Sequence, residues 1–218
     1  MRLRVPYYAQ SAEFSCGPAC LTMALKYFNP STRMGKSLEY DLWRECNMIG
    51  IRGADPFGLS VPLLKRGYNV TIISKAPSMM NRSQLKTMKW LSKEEKELTL
   101  FAMKDQKEKA LFLGLELIKR DPNLNDIEDA LSENKLPIAL VDMTVVHKMK
   151  IPHWVIVTGM DDNVGWINDP YPPKGKKNLR LKLVQCEKMM SDFSKHFKSE
   201  KSLLLVAPGT DNRINRGQ

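Results

Sequence analysis

Cys16, in the run Gln10-Ser-Ala-Glu-Phe-Ser-Cys16-Gly17-Pro18-Ala19, has the setting of a nucleophile. Ser15 is a candidate cap for a helix over 16–28, where Cys20, Met23, Ala24 and Tyr27 recur at helical spacing before Asn29-Pro30 stops it. A cysteine in the first turn sits at the positive end of the helix dipole, among N–H groups that lack an intrahelical partner. That environment favours thiolate, the attacking form, over thiol. Gly17 would let a substrate carbonyl approach the backbone closely. The Cys16 N–H can bind a developing oxyanion, and Gln10, on the incoming loop, can supply a second donor from its side-chain amide.

A thiol nucleophile needs a base, and the base an orienting group. Pro152-His153-Trp-Val-Ile-Val-Thr-Gly159 and Val164-Gly-Trp-Ile-Asn-Asp169-Pro170 read as a β-hairpin turning at Asp161, in which Val155 faces Ile167 and His153 faces Asp169. Directly opposed residues have Cβ atoms ~4.5–5.5 Å apart, within reach of an imidazole–carboxylate hydrogen bond. A slip of one residue would turn one of the two to the opposite face. Asp161 and Asp162 lie at the hairpin tip, too far from His153, and Asn168 points to the face opposite Asp169. His147 and His196, in lysine-rich surroundings, read as surface histidines.

Each of these residues has an ordinary reading as well. A helix-start cysteine can be a small buried residue, a strand histidine a structural one, and Asp169-Pro170-Tyr171-Pro172-Pro173 a strand-ending turn. Their concurrence points to a catalytic site. Cys20 reads as a core thiol, because no CxxC or histidine-rich partner completes a zinc site, and Cys46 and Cys186 carry no motif. No P-loop, GxGxxG or HExxH is present, and nothing asks for a cofactor or a metal.

The elements that must position these residues divide the chain in two. Further helices are expected over 37–46 and 59–65, with a glycine-punctuated loop over 50–58, a strand over 68–74, a wholly helical stretch over 83–119, and a short helix capped by Asn125 or Asp126 and ending at Leu131. After Lys135 the character becomes β-rich, with strands over 136–141, 153–159, 164–168 and 202–207. Helices in the first half and an antiparallel sheet in the second give an α+β class.

The chain of 218 residues has 43% hydrophobic and 27% charged residues, which excludes disordered and collagen-like classes and suits one domain over 1–218. No signal-peptide h-region and no run of about 18 apolar residues is present, so a cytoplasmic protein with four free thiols and no membrane span is expected. The formal net charge is +10, and Lys174–Lys201 holds nine basic residues against three acidic ones. That segment can meet an anionic partner or simply be a solvated lysine-rich face.

QSAEFSCGPACLTMALKYF followed downstream by PHWVIVTG and INDP resembles the bacteriocin-processing cysteine peptidases of the papain-like superfamily. It is more similar still to the free-standing bacteriocin-peptidase-like proteins, whose likeness extends to DLWRECNMIGIRGADPFGLSVPLLKRGYNVTIIS. The resemblance implies a papain-like fold, with the nucleophile-bearing helix packed on the C-terminal sheet. It implies a nucleophile at Cys16, a base at His153, an orienter at Asp169 and an oxyanion-hole residue at Gln10, acting on a peptide or protein substrate. The sequence departs from the exporter-linked peptidases in carrying no transmembrane or ATPase segment and in a helical insert over about 76–131. A peptidase or amidase acting on a peptide or isopeptide bond is therefore expected. The alternatives are an acyltransferase on the same site, or a catalytically silent module that binds peptide or nucleic acid.

Overall fold

The structure, a computed structural model, describes residues 1–46, 51–78, 82–173 and 175–209. Three helices, α1 (Cys16–Phe28), α2 (Lys36–Cys46) and α3 (Pro56–Lys65), precede strand β1 (Tyr68–Ile73). Then come α4 (Arg82–Thr87), α5 (Lys93–Phe112), β2 (Glu116–Ile118), α6 (Leu124–Ser132), β3 (Leu136–Asp142) and the one-turn α7 (Thr144–His147). The described residues finish with β4 (Pro152–Met160), β5 (Val164–Asn168), β6 (Leu179–Lys182), α8 (Leu183–Phe197) and β7 (Leu203–Pro208).

The strands form a seven-stranded sheet in the order β2-β1-β7-β3-β4-β5-β6, antiparallel except for the edge pair β1–β2. β3 and β4 are central, and their near-unbroken apolar runs mean that both faces are covered. On one face Trp154 packs by Leu59 of α3 and Gly17 of α1, where a Cβ on Gly17 would lie 2.7 Å from Leu59 and 3.3 Å from the indole. On the other face Val155 and Val157, with Ala139 and Val141, meet Leu124 and Ile127 of α6 and Met189 and Met190 of α8. Helices on both faces of a largely antiparallel sheet, with α1 against β4, make an α+β fold of the papain-like kind.

Several sequence expectations are corrected. α3 begins at Pro56, not at 59, because Asp55 is its N-cap, accepting from Gly58 N at 2.7 Å, and proline suits the first helical position. Most of the loop expected over 50–58 is therefore shorter than that, and its first residue, Gly50, lies outside the described residues. The stretch over 83–119 is not wholly helical. Ser92 and Glu95 form a capping box that starts α5 afresh, Gly114 (φ +89°) ends it, and β2 follows. Asn123, not Asn125 or Asp126, caps α6, with Asp126 returning the bond.

The second half also contains a helix that its β-rich character hid. In α8, Met189, Met190 and Phe193 are buried against the sheet while Lys188 and Lys195 face outward. The lysine-rich segment is thus a strand and a helix whose basic side chains lie largely in solvent; Lys174 falls outside the described residues. No helix among the described residues is long and apolar enough to cross a membrane.

Candidate active site

One end of the sheet gathers the C-terminus of β3, the start of β4, the end of β5 and the N-terminus of α1. Cys16 is the first residue of α1, 8% exposed, with its thiol against the ring of His153. His153 Nε2 bonds Asp169 Oδ1 at 2.9 Å, so Nδ1 is the ring nitrogen left to face the thiol. His153 and Asp169 are 2% and 0% exposed.

The hairpin that joins them differs from the expected register. Ile167 pairs with Val157 rather than Val155, because the turn lies beyond Asp161 and an extra residue, Thr158, is bulged between Val157 and Gly159. The net slip is two residues, an even number, so the pleat keeps His153 and Asp169 on the same side. They meet as diagonal rather than directly opposed neighbours, which an imidazole and a carboxylate can span. Asn168 turns away from the pair: its amide donates to Val5 O at 3.4 Å and Pro6 O at 3.3 Å.

The electrostatics follow from this contact. Burial by itself raises the Cys16 thiol, but the charge of His153, the contact with its ring and the N–H groups of Trp154 and Gly17 together hold it below its ordinary value. Burial lowers His153, yet the Cys16 charge and the Asp169 bond outweigh it and lift the ring to about 9. Burial raises Asp169, and bonds from His153, Tyr171 N and His147 bring it below the usual carboxylate range. The contact thus shifts both partners toward their charged forms, the thiol toward thiolate and the ring toward imidazolium. Cys20, one turn on, is the contrast: burial and the neighbouring Cys16 charge push it well above the ordinary thiol value, and its Sγ faces Trp154 O at 3.4 Å.

Gln10 is 3% exposed. Its main-chain N–H donates to Pro170 O at 2.9 Å, tying the incoming loop to the residue after Asp169, and its Nε2 donates to Ala12 O at 2.7 Å. That bond uses one of the two amide N–H groups and leaves the other available, while Oε1 is buried without a partner among the described residues. Two local expectations change. The Ser15 hydroxyl does not cap α1; it donates to Glu39 Oε1 at 2.6 Å and lies 2.9 Å from Ala12 O. Gly17 faces Leu59 and Trp154, so its missing side chain serves helix–sheet packing rather than substrate approach.

Sequence reasoning missed three residues. Glu39 of α2, fully buried, accepts from Ser11 N at 2.8 Å, Ser15 Oγ at 2.6 Å and Tyr8 OH at 3.0 Å, and so pins the loop carrying Gln10 and Cys16. His147, expected on the surface, has a side chain 4% exposed and bonds Asp169 Oδ2 at 2.7 Å. His196, also expected there, bonds Asp142 Oδ2 at 3.1 Å. Local composition held no signal for these bonds, which long-range packing creates; only a count of the carboxylates at the strand ends could have suggested them.

A thiol on a helix start, facing a sheet-borne imidazole braced by a carboxylate, on this fold, defines the papain-like cysteine-peptidase architecture. A family model described as the Peptidase_C39 like family matches residues 5–203, and the chain belongs to that family. Among solved structures, a protein described as a C39-like peptidase from Bacillus anthracis is similar in fold, with a TM-score of 0.54 at 11% identity over 95% of this chain and 96% of that one. A double glycine motif protease from an AMS/PCAT transporter, in complex with the leader peptide, aligns with a TM-score of 0.49 at 13% identity, covering 95% of this chain and 94% of that one. The peptidase domain of Streptococcus ComA, a bi-functional ABC transporter of a quorum sensing pathway, aligns at 0.42 and 17% identity over 92% and 96% of the two chains. No curated protein matches the chain.

Proposed function

We propose that the protein is a cysteine peptidase or amidase that cleaves a peptide or isopeptide amide, with Cys16 as nucleophile, His153 as acid and base, Asp169 as orienter and Gln10 in the oxyanion hole. The observation that carries this reading is the Cys16 thiol at the start of α1, against an imidazole that Asp169 holds from behind at 2.9 Å. Thiolate Cys16 attacks the amide carbonyl and a C–S bond forms. The oxygen, now negative, is met by the Cys16 N–H and the second N–H of Gln10 Nε2. His153 Nδ1–H protonates the amine nitrogen as the C–N bond breaks, leaving a thioester on Cys16. Neutral His153 then takes a proton from water, whose oxygen attacks the thioester, and Cys16 leaves as thiolate. Asp169 keeps the proton on Nε2 throughout, so that Nδ1 is the nitrogen that exchanges it.

The test is a mixed synthetic peptide library read by mass spectrometry. New peptide termini are expected with the wild-type chain, and none with Cys16→Ala or after alkylation with iodoacetamide. Cleavage that persists in Cys16→Ala defeats the reading.

A further inference from the structure

Asp169 holds more than the base. Its Oδ1 accepts from His153 Nε2 at 2.9 Å and from Tyr171 N at 3.0 Å, and its Oδ2 accepts from His147 Nε2 at 2.7 Å. The Tyr171 ring lies against both imidazoles, centroid to centroid 5.2 Å from His147 and 5.9 Å from His153. His147 meets the carboxylate oxygen that His153 does not, from α7 between β3 and β4. Asp142 Oδ1 accepts from Thr144 N at 2.7 Å to start that turn, and Lys148 (φ +57°) ends it. The ring is therefore delivered by a short, anchored turn and not by a mobile loop tip.

A carboxylate with 0% exposure has no water to complete its shell. Without a donor on Oδ2, one charged oxygen would be buried unpaired, a state avoided by taking a proton or rotating toward another donor. Either response would weaken the grip on His153. We propose that His147 is a positioning residue for the reaction: by donating to Asp169 Oδ2 it fixes the carboxylate, ionised, in the plane in which Oδ1 meets His153. A neutral His147 with its proton on Nε2 is sufficient, so the role needs no change in its charge. The inference rests on the reading of Cys16, His153 and Asp169 as the reacting set.

The experiment is the pH dependence of Cys16 alkylation by iodoacetamide, followed by mass spectrometry on the Cys16 peptide in wild type, His147→Leu and His147→Gln. Wild-type Cys16 is expected to react as a thiolate at pH values below the ordinary thiol value. His147→Leu, which keeps bulk but no donor, should react about tenfold more slowly there with its midpoint moved upward, the scale of losing a group that orients an active-site ligand. His147→Gln, which retains an N–H, should recover most of the rate. An unchanged midpoint in a folded Leu variant, or a Gln variant as impaired as Leu, overturns the role while leaving the triad standing. A wild-type Cys16 that titrates like a free thiol brings down the triad reading and this role with it. A measurement on the unmodified protein is independent of variant folding. Long-range ¹H–¹⁵N correlation should find His147 protonated at Nε2, and an unprotonated Nε2 overturns the role.

Discussion

Two aspartates close the same end of the sheet and are built almost alike. Asp142, the last residue of β3, and Asp169, just after β5, are both fully buried. Each accepts the backbone N–H two residues on, Thr144 N at 2.7 Å and Tyr171 N at 3.0 Å, and each holds an imidazole. All three histidines of the chain are spent on these two carboxylates: His196 on Asp142, His147 and His153 on Asp169. The difference lies beyond the imidazole. The His153 ring meets a thiol on a helix N-terminus, whereas His196 belongs to α8 and packs edge-on to Phe197, its bond tying that helix to the β3–α7 corner. A buried aspartate–histidine pair is a brace in both places. The proposed chemical role belongs to the pair whose second ring nitrogen faces a group that can give up its proton.

The sharpest way to break that contrast is to remove one imidazole from each aspartate. His153→Ala should lower peptide cleavage by roughly 10⁴–10⁶-fold, since base and nucleophile act as a unit. His196→Ala should leave cleavage by the folded protein unchanged. Kinetics on any peptide that the library yields would decide it, and equal losses in the two variants would mean that the braces do not differ in role.

The pH response separates the two sites more finely. His153 is raised to about 9 from an ordinary value of 6.5, so it contributes stability that is complete below about 6.5 and lost as pH rises through 9. Cys16 is lowered, so its contribution is present above the ordinary thiol value and lost as pH falls through its folded one. The two contributions run in opposite directions with pH, so they offset wherever both groups are charged in the folded protein and both neutral in the unfolded chain, and Tm should be flat there. Alkylation of Cys16 should show a lower limb only, where the thiolate takes its proton. Cleavage should show that limb and an upper one near pH 9, where His153 loses the proton that the leaving amine needs. Coincident profiles for alkylation and cleavage would remove the imidazolium from the mechanism.

How much of this was legible in the sequence varied with the range of the interaction. α1 was readable to the residue, because its apolar spacing and its Asn29-Pro30 stop are local. The His153–Asp169 bond was anticipated on the wrong register, and it is present because a two-residue slip preserves the face. Asp55-Pro56 falls inside the loop expected over 50–58, although the pair, as N-cap and first helical residue, opens α3. In α8 the stripe Met189, Met190 and Phe193 was masked by the surrounding lysines. β2 exists only by parallel pairing of Glu116–Ile118 with β1, and three residues carry no periodicity. His147 and Glu39 were invisible for a deeper reason: each owes its role to a partner 22 or more positions away, and nothing in the neighbourhood of Lys148 and Lys150 says that the residue before them is buried.

The smallest effect sharpens the comparison most, because it concerns the brace alone. His196→Ala leaves Asp142 Oδ1 on Thr144 N but strips the imidazole from Oδ2, so a buried charged oxygen loses its partner. Its ring is 18% exposed, so water can enter and repair part of the loss. Urea unfolding should therefore show a destabilisation of about 1–2 kcal/mol with the slope unchanged. The alkylation midpoint of Cys16 should stay where it is in wild type. Should that midpoint move together with stability, the Asp142 brace would be acting through α7 on His147 and so on Asp169, and the two carboxylates would form one coupled device rather than two.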